Sequence, residues 1–352
     1  MAIVEEEVSI SKGLTKLELI FKKKMLLVSL IIILFIFAFG FIGANFIFTT
    51  PNKVYRTPIA KQYQEFCKDK LNALDPHCAT QRLTYQAPSL EHPLGTDDQG
   101  RDELSRLSWG VYNSLLIGIT SGTIITALAI IFGAIAAYYG GIFDDIAQFI
   151  VNLFLVLPVV PMLIFIAYFT RTTGIRFNFP LLTIPKIDLI FFTIPKVTFI
   201  DFQLDGLFLI ACIIGFTSWG WAARSIRSQV LSLKERNFIN MAKISGLNNL
   251  TISIQEVLPN MFSYISLIFA ISLGLSIASE AGISVLGIGV DTNVPTLGTL
   301  LYWVVQLISV TTYEQMIYIL LFPGLIITIL FVFLYVLQAE MDDIFNPRLK
   351  KG

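Results

Sequence analysis

Charged side chains are scarce in this chain: they make up 14% of its 352 residues, against about a quarter in an average soluble domain. The formal net charge is zero, so the sequence lacks the basic surface expected of a nucleic-acid-binding protein. There are two histidines and three cysteines, and no set of residues typical of a catalytic centre. A Gly-x-x-x-x-Gly-Lys-Ser/Thr phosphate-binding loop is absent as well. We therefore predict a non-catalytic chain, not an enzyme, that binds no nucleotide itself.

Hydrophobic residues dominate instead, at 55% of the chain with a mean hydropathy of +0.73. Several apolar runs reach the roughly 20 residues that cross a bilayer as a helix. The first run, 25–48, is too long for the apolar core of a signal peptide and has no small-residue cleavage pattern, so we expect it to remain as an anchor. The sequence predicts an integral membrane protein.

The apolar runs predict an all-α fold with six transmembrane helices, at 25–48, 114–139, 146–169, 207–223, 262–279 and 316–337. A tight loop at 142–145 is expected between the second and third spans, and the weaker segment 300–310 predicts a partial or re-entrant helix. Six spans place both termini on one side, and Lys22, Lys23 and Lys24 directly before the first span predict that this side is cytoplasmic.

These spans divide the chain into a cytoplasmic N-terminal segment (1–24), the first helix (25–48), an extracytoplasmic loop (49–108), a transmembrane core (109–340) and a cytoplasmic tail (341–352). A Thr-Ile-Pro-Lys sequence occurs twice, at 183 and at 193, each time beside β-prone residues. This pattern predicts a short β-hairpin. An irregular loop along the membrane is the alternative.

The 49–108 loop holds two of the cysteines, Cys67 and Cys78, together with His77. A disulfide is typical of cysteines in an oxidising exterior and would stabilise the loop by about 3 kcal/mol. Free thiols and a metal site are the alternatives, although no fourth metal ligand has suitable spacing. Cys212 lies in a predicted span and fits a packing residue.

Four polar residues at membrane depth are candidates for the lining of a pathway through the membrane: Glu280, Asn113, Ser114 and Ser121. A carboxylate within a span suggests a functional role because burying it is costly. The alternatives are a helix end at a vestibule for the glutamate and helix packing for the small polar residues.

The segment 224–260 is a charged, helix-prone island between long apolar runs. A glycine, Gly246, divides it, and a Leu-Pro pair closes it. Gly246 can adopt a left-handed conformation that ends a helix, so we expect two short helices on either side of it. Pro259 fits the first turn of the fifth span, where its missing N–H costs nothing. This regularity suggests a docking element for another protein; an interfacial amphipathic loop is the alternative.

Five motifs together resemble the permease subunits of ABC importers for dipeptides, oligopeptides and nickel, and specifically the second, C-type permease. They are residues 92–106 (HPLGTDDQGRDELSR), 138–141 (YYGG) with Asp144, 280–290 (EAGISVLGIGV), 322–324 (FPG) and 346–349 (NPRL). The resemblance covers about residues 92–349, apart from 171–205, which looks like an extracytoplasmic insertion. It implies the type I importer permease fold.

The resemblance also implies that the island is the cytoplasmic loop that contacts the ATPase subunits. The family's spacing of Glu-Ala-Ala, Gly and Leu-Pro is kept, but Asn240 replaces the glutamate, Met241 the first alanine and Glu256 an isoleucine. The residues implied in coupling are Asn240, Met241, Ala242, Gly246, Glu256, Leu258 and Pro259.

By this resemblance the chain forms half of a pore for dipeptides or oligopeptides. The implied partners are a homologous second permease, two ABC ATPases that bind ATP and Mg²⁺, and an extracytoplasmic solute-binding protein, so no cofactor is expected in this chain. Oligosaccharide or nickel cargo is the alternative within the family. An ion-coupled secondary transporter is the rival outside it, which the near absence of charges in the spans disfavours.

Overall fold

The computed structural model describes residues 24–48, 51–52, 87–97, 99–173, 178–184, 187–189, 192–194, 197–203, 206–307 and 313–345. The expected Cys67–Cys78 disulfide and most of the 49–108 loop lie outside these residues, as do the N-terminal segment, residues 346–352 and the NPRL motif. The described part is a bundle of α-helices with one small β element, which confirms the predicted all-α membrane fold for the core.

The elements, in chain order, are as follows. The helices before the strands are α1 (Lys24–Ile42, extended by a π-helical turn Gly43–Ile47), α2 (Glu103–Ala129, continued by a π-helical turn Ile130–Ile135 and Ala136–Tyr139), α3 (Gly141–Val156) and α4 (Val159–Thr173). The strands are β1 (Asn178–Ile184), β2 (Ile187–Leu189), β3 (Phe192–Ile194) and β4 (Val197–Gln203). The later helices are α5 (Gly206–Thr217), α6 (Gly220–Lys234), α7 (Asn237–Ile244), α8 (Asn249–Ile252, followed by a π-helical turn Ser253–Val257 and by Leu258–Asn260), α9 (Phe262–Val285), α10 (Leu297–Leu307) and α11 (Tyr313–Phe345).

Four helical segments of the described chain are long and apolar enough to span a membrane: Lys24–Ile47, Glu103–Tyr139, Phe262–Val285 and Leu321–Glu340. Two further spans are bent pairs. α3 and α4 meet at 78°, and α5 and α6 meet at 49°. Counting each pair as one span gives six, the predicted number.

Several predicted boundaries are wrong. α2 begins at Glu103, inside the segment predicted as loop, and the predicted loop 142–145 is helical because α3 starts directly at Gly141. The turn between them needs only two glycines: Gly140 and Gly141 have φ of +74° and +57°, which side chains with a Cβ rarely adopt. The apolar segment near 300–310 forms the short helix α10.

The β element confirms the predicted hairpin between α4 and α5. β1 pairs with β4 in antiparallel register from Asn178 opposite Gln203 to Ile184 opposite Val197. In the segment between β1 and β4, β2 pairs with β3, with Leu189 opposite Phe192. The repeated sequence therefore supplies the two arms of one nested hairpin.

α2 and α9 lie at the centre of the bundle. In the most apolar stretch of each span, 44% of the residues of α2 and 39% of those of α9 are buried, against 22% in α1 and 17% in α11. Glycine allows α2 and α6 to approach closely, because a Cβ on Gly133 of α2 would collide with the carbonyl oxygen of Ala223 in α6. Cys212 lies half-buried in α5, consistent with a packing role.

Candidate coupling site

One face of the 224–260 island is anchored in the helical bundle. Ile239 of α7, Ile252 of α8 and Val257 are fully buried and belong to the same apolar cluster as Ile226 and Val230 of α6. Burying a branched aliphatic side chain contributes about 1.5–3 kcal/mol, so these residues fix α7 and α8 to the membrane core. The island is therefore an ordered part of the fold and not a loose connector.

The other face of the island is exposed and apolar. Met241 and Ile244 on α7 are 65% and 82% exposed, and Leu247, Leu250 and Ile254 beyond the turn are also exposed. Asn240 lies on the exposed side as well, whereas Ala242 is buried. An apolar patch of this kind on an otherwise polar segment is typical of a surface that another protein covers.

Gly246 makes the turn that separates α7 from α8, as predicted. It has φ of +78°, its N–H donates to the carbonyl of Lys243 at 3.1 Å, and the N–H of Leu247 donates to the carbonyl of Ala242 at 3.4 Å. This pair of bonds is the Schellman arrangement that ends a helix. The Asn248 side chain then accepts from the N–H of Thr251 at 2.7 Å and caps α8.

The closing Leu-Pro pair differs slightly from the expectation. Leu258 and Pro259 lie in the short helical turn Leu258–Asn260, and α9 starts only at Phe262, so Pro259 is outside the first turn of the fifth span. Glu256, half-buried in the preceding π-helical turn, accepts at its backbone carbonyl from the Asn260 side chain at 2.7 Å. A proline near the start of a helix is tolerated because its missing N–H would have no partner there.

Two arginines on one face of α6 fasten the helix that leads into the island to α3. Arg227 donates two hydrogen bonds to Asp144, at 2.9 and 2.7 Å, and Arg224 donates to the Asn152 side chain at 2.8 Å. Lys234 lies 5.6 Å from the ring centre of Tyr138. The sequence did not predict these contacts, although two arginines three residues apart and a pair of carboxylates beside an apolar run were a usable signal.

The described residues of the 92–106 motif form a buried ionic cluster at the start of α2. Asp97 accepts from Arg101 and from Arg106, both at 2.6 Å, and all three side chains are at most 3% exposed. Arg101 also lies 5.9 Å from the ring centre of Trp303 on α10. Because both arginines donate hydrogen bonds to the Asp97 carboxylate, the cost of burying these charges is offset. The cluster therefore fixes the start of α2 against α10.

His92 and Asp102 lie at the edge of this cluster, 3.6 Å apart. Burial raises the pKa of the Asp102 carboxyl, and the nearby His92 opposes that rise. Among the described residues, no group of three or more His, Cys, Asp or Glu side chains could hold a metal ion.

The four candidate pathway residues lie in the packed interior. Glu280 is 0% exposed and accepts from Ser284 and Thr296, each at 2.7 Å, while Ser114 lies 3.4 Å away. These bonds join α9, the start of α10 and α2.

The remaining contacts of the same residues are also internal. Asn113 donates to the carbonyl of Pro295 at 2.7 Å, and Ser121 to that of Ile117 at 2.6 Å. Such contacts favour the helix-packing alternative, and a role in the pathway stays a prediction.

A bundle of up to six spans, with a helical island that is anchored on one face and exposed on the other, defines a multi-pass membrane protein. The family model of the binding-protein-dependent transport system inner membrane component matches residues 129–351, well over half of the chain and the whole island. The chain belongs to this family, as the resemblance in its motifs indicated.

Three relatives from different bacteria are similar to this chain over much of its length. An oligopeptide transport system permease protein, OppC, of Mycobacterium tuberculosis is 32% identical over 216 residues, 61% of this chain and 64% of the relative, which is less than two thirds of its length. A dipeptide transport system permease protein, DppC, of Alkalihalophilus pseudofirmus is 27% identical over 75% of each chain. The OppC of Haemophilus influenzae is 30% identical over 61% of this chain and 59% of the relative.

Proposed function

We propose that this chain is a permease subunit of an ATP-driven importer and forms half of the pathway for oligopeptides or dipeptides. The observation that carries the proposal is the two-sided burial of the island. One face packs into the bundle, and the other exposes Met241 and Ile244, where a partner can bind. A docked ATPase that moves this surface would move α6 and α3 with it, because the Arg227–Asp144 and Arg224–Asn152 contacts join them. The names of the relatives support peptide cargo.

The partners follow from the same proposal. Two ABC ATPases would bind ATP and Mg²⁺ and dock on the island, a homologous permease would complete the pore, and an extracytoplasmic solute-binding protein would deliver the peptide. The island would then face the cytoplasm, together with both termini, in the cell membrane. The three consecutive lysines, Lys22, Lys23 and Lys24, at the start of the first span support this orientation. The chain itself would hydrolyse no ATP.

Reconstitution tests this proposal. We expect proteoliposomes with the sister permease, both ATPases and the binding protein to take up a short peptide when ATP is present, and to lose uptake when any one component is omitted. The measurement is accumulation of labelled peptide over time. Uptake by this chain alone, driven by an ion gradient, would replace the importer with a secondary transporter.

We also expect Asp144→Asn to uncouple ATP hydrolysis from uptake. The substitution weakens the paired hydrogen bonds from Arg227 to residue 144. Because the Arg227 side chain is 30% exposed, the loss is about 1.5 kcal/mol, the lower end of the range for hydrogen bonds to charged groups. A movement of α6 would then be transmitted less completely to α3, so the amount of peptide taken up per ATP hydrolysed should fall several-fold.

The matched control for this experiment is Asp145→Asn, which removes the same charge from the neighbouring, exposed carboxylate. This variant should keep the wild-type ratio of uptake to hydrolysis. Equal ratios in the two variants would contradict a role for the Asp144–Arg227 pair in transmitting motion.

A further inference from the structure

A cavity of about 240 Å³ lies where the two bent helix pairs approach α2 and α9. Its wall is mostly apolar and includes Ile125, Phe154, Leu155, Trp221 and Leu275. Sites that hold a whole small molecule usually measure about 300–1,000 Å³, so this cavity suits one large side chain of a ligand. Helix breaks at membrane depth are tolerated where they line a cavity, which is the arrangement here.

One polar side chain in this wall has a hydroxyl group without a hydrogen-bond partner among the described residues. Ser276 of α9 lines the cavity, is 1% exposed, and its hydroxyl has no hydrogen-bond partner in the part of the chain that the structure describes. Buried hydroxyl groups are nearly always paired, so an unpaired one beside a cavity marks a place for an absent acceptor or donor.

The N-terminus of α6 reaches the same cavity. Gly220 and Trp221 line it, and the residue before them, Trp219, makes no side-chain hydrogen bond that caps the helix. The first N–H groups of a helix have no partner within the helix and carry a partial positive charge. Together with the Ser276 hydroxyl they favour an oxygen acceptor next to the apolar pocket.

We propose that this cavity is a subsite for the peptide substrate. It takes one apolar side chain, such as that of leucine or phenylalanine, while the adjacent carbonyl or terminal carboxylate oxygen of the peptide accepts hydrogen bonds from Ser276 and from the N-terminus of α6. The inference rests on the proposed function as a peptide importer. A lipid acyl chain, with its ester carbonyl oxygen, is the competing occupant of this cavity, and the experiment below distinguishes it from a peptide.

The test uses the complete reconstituted importer and a labelled leucine-containing tripeptide. We expect Ser276→Ala to raise the KM for uptake about fivefold to tenfold, as the loss of one hydrogen bond in a desolvated site does. Ser276→Leu should fill the cavity and impair uptake of leucine and phenylalanine peptides more than of a glycine peptide. Amidated tripeptides then separate the two acceptors: a larger KM for the amide identifies the terminal carboxylate, and an equal KM identifies a backbone carbonyl.

The matched control is Ser272→Ala. Ser272 lies one turn away on α9, is equally buried and also has an unpaired hydroxyl within the described region, but it is not part of the cavity wall. This variant should keep the wild-type KM. As a direct readout, a tripeptide with photoactivatable leucine should label Leu155 or Trp221 in the wild type and not in Ser276→Leu.

The outcomes separate the two proposals. If the wild type imports peptide while both Ser276 variants behave like Ser272→Ala and the label maps elsewhere, the subsite is wrong and the proposed function stands. If a photoactivatable lipid labels Leu155 and peptide does not compete, the cavity is a lipid site. If the wild-type importer moves no peptide at all, the proposed function fails and the subsite fails with it.

Discussion

Replacing Gly246 by valine is expected to abolish ATP-driven uptake while the protein still inserts in the membrane. Gly246 has φ of +78°, and a Cβ built there would meet nothing within 4 Å, so the effect arises from backbone strain and not from a clash. A β-branched residue at positive φ costs about 1–3 kcal/mol. To relieve that strain the turn would change conformation and re-aim the exposed Met241 and Ile244 relative to α8.

The measurements are peptide uptake and substrate-stimulated ATP hydrolysis in the reconstituted complex, with membrane insertion followed by the amount of chain in the membrane fraction. The control is Gly246→Asn, since asparagine tolerates the left-handed region better than other side chains do. It should retain most of the uptake. Wild-type uptake and hydrolysis in the valine variant would rule out coupling through this turn.

The second large effect is expected from Asp97→Ala, which removes the shared partner of two buried arginines. Arg101 and Arg106 are each at most 3% exposed and both donate to the same oxygen of Asp97. Removing one member of a buried ion pair typically costs 3–5 kcal/mol, because a buried charge is left uncompensated. The free energy of unfolding should fall by about that amount, measured by denaturation of the purified chain in detergent.

Glu91→Ala provides the comparison for this experiment, since Glu91 is an exposed carboxylate in the same segment. Exposed substitutions of this kind usually change stability by no more than about 0.5 kcal/mol. A similar small change in Asp97→Ala would mean that the cluster does not stabilise the start of α2.

The island shows how much of the candidate site could be predicted from the sequence. The spacing around Gly246 and the chemistry of glycine were enough to predict two short helices and the turn between them, because that geometry depends on neighbouring residues. The sequence did not reveal which side of the island is buried. Ile239 and Ile244 are chemically identical, yet one is 0% and the other 82% exposed.

The start of α2 shows where hydropathy fails. Glu103, Ser105 and Arg106 look like part of a polar loop, but all three are buried in the first turns of the helix. Burial is possible because Asp97, nine residues before Arg106, folds back and neutralises it. Hydropathy averages over neighbouring residues and contains no information about such a partner.

The sequence by itself determined that this is a membrane-embedded helical chain with up to six spans and an island divided by a glycine turn, whereas it left the hairpin between α4 and α5 open against an irregular loop. These features depend on apolar run length and on local backbone preference. Only the tertiary structure decided that Asp144 pairs with Arg227, 83 residues away, that Glu280 is enclosed by hydroxyl groups from three parts of the chain, and that two helix breaks meet at one cavity. The physical reason is that burying a charged group without a partner is costly, and the partner that the fold supplies can lie anywhere along the chain.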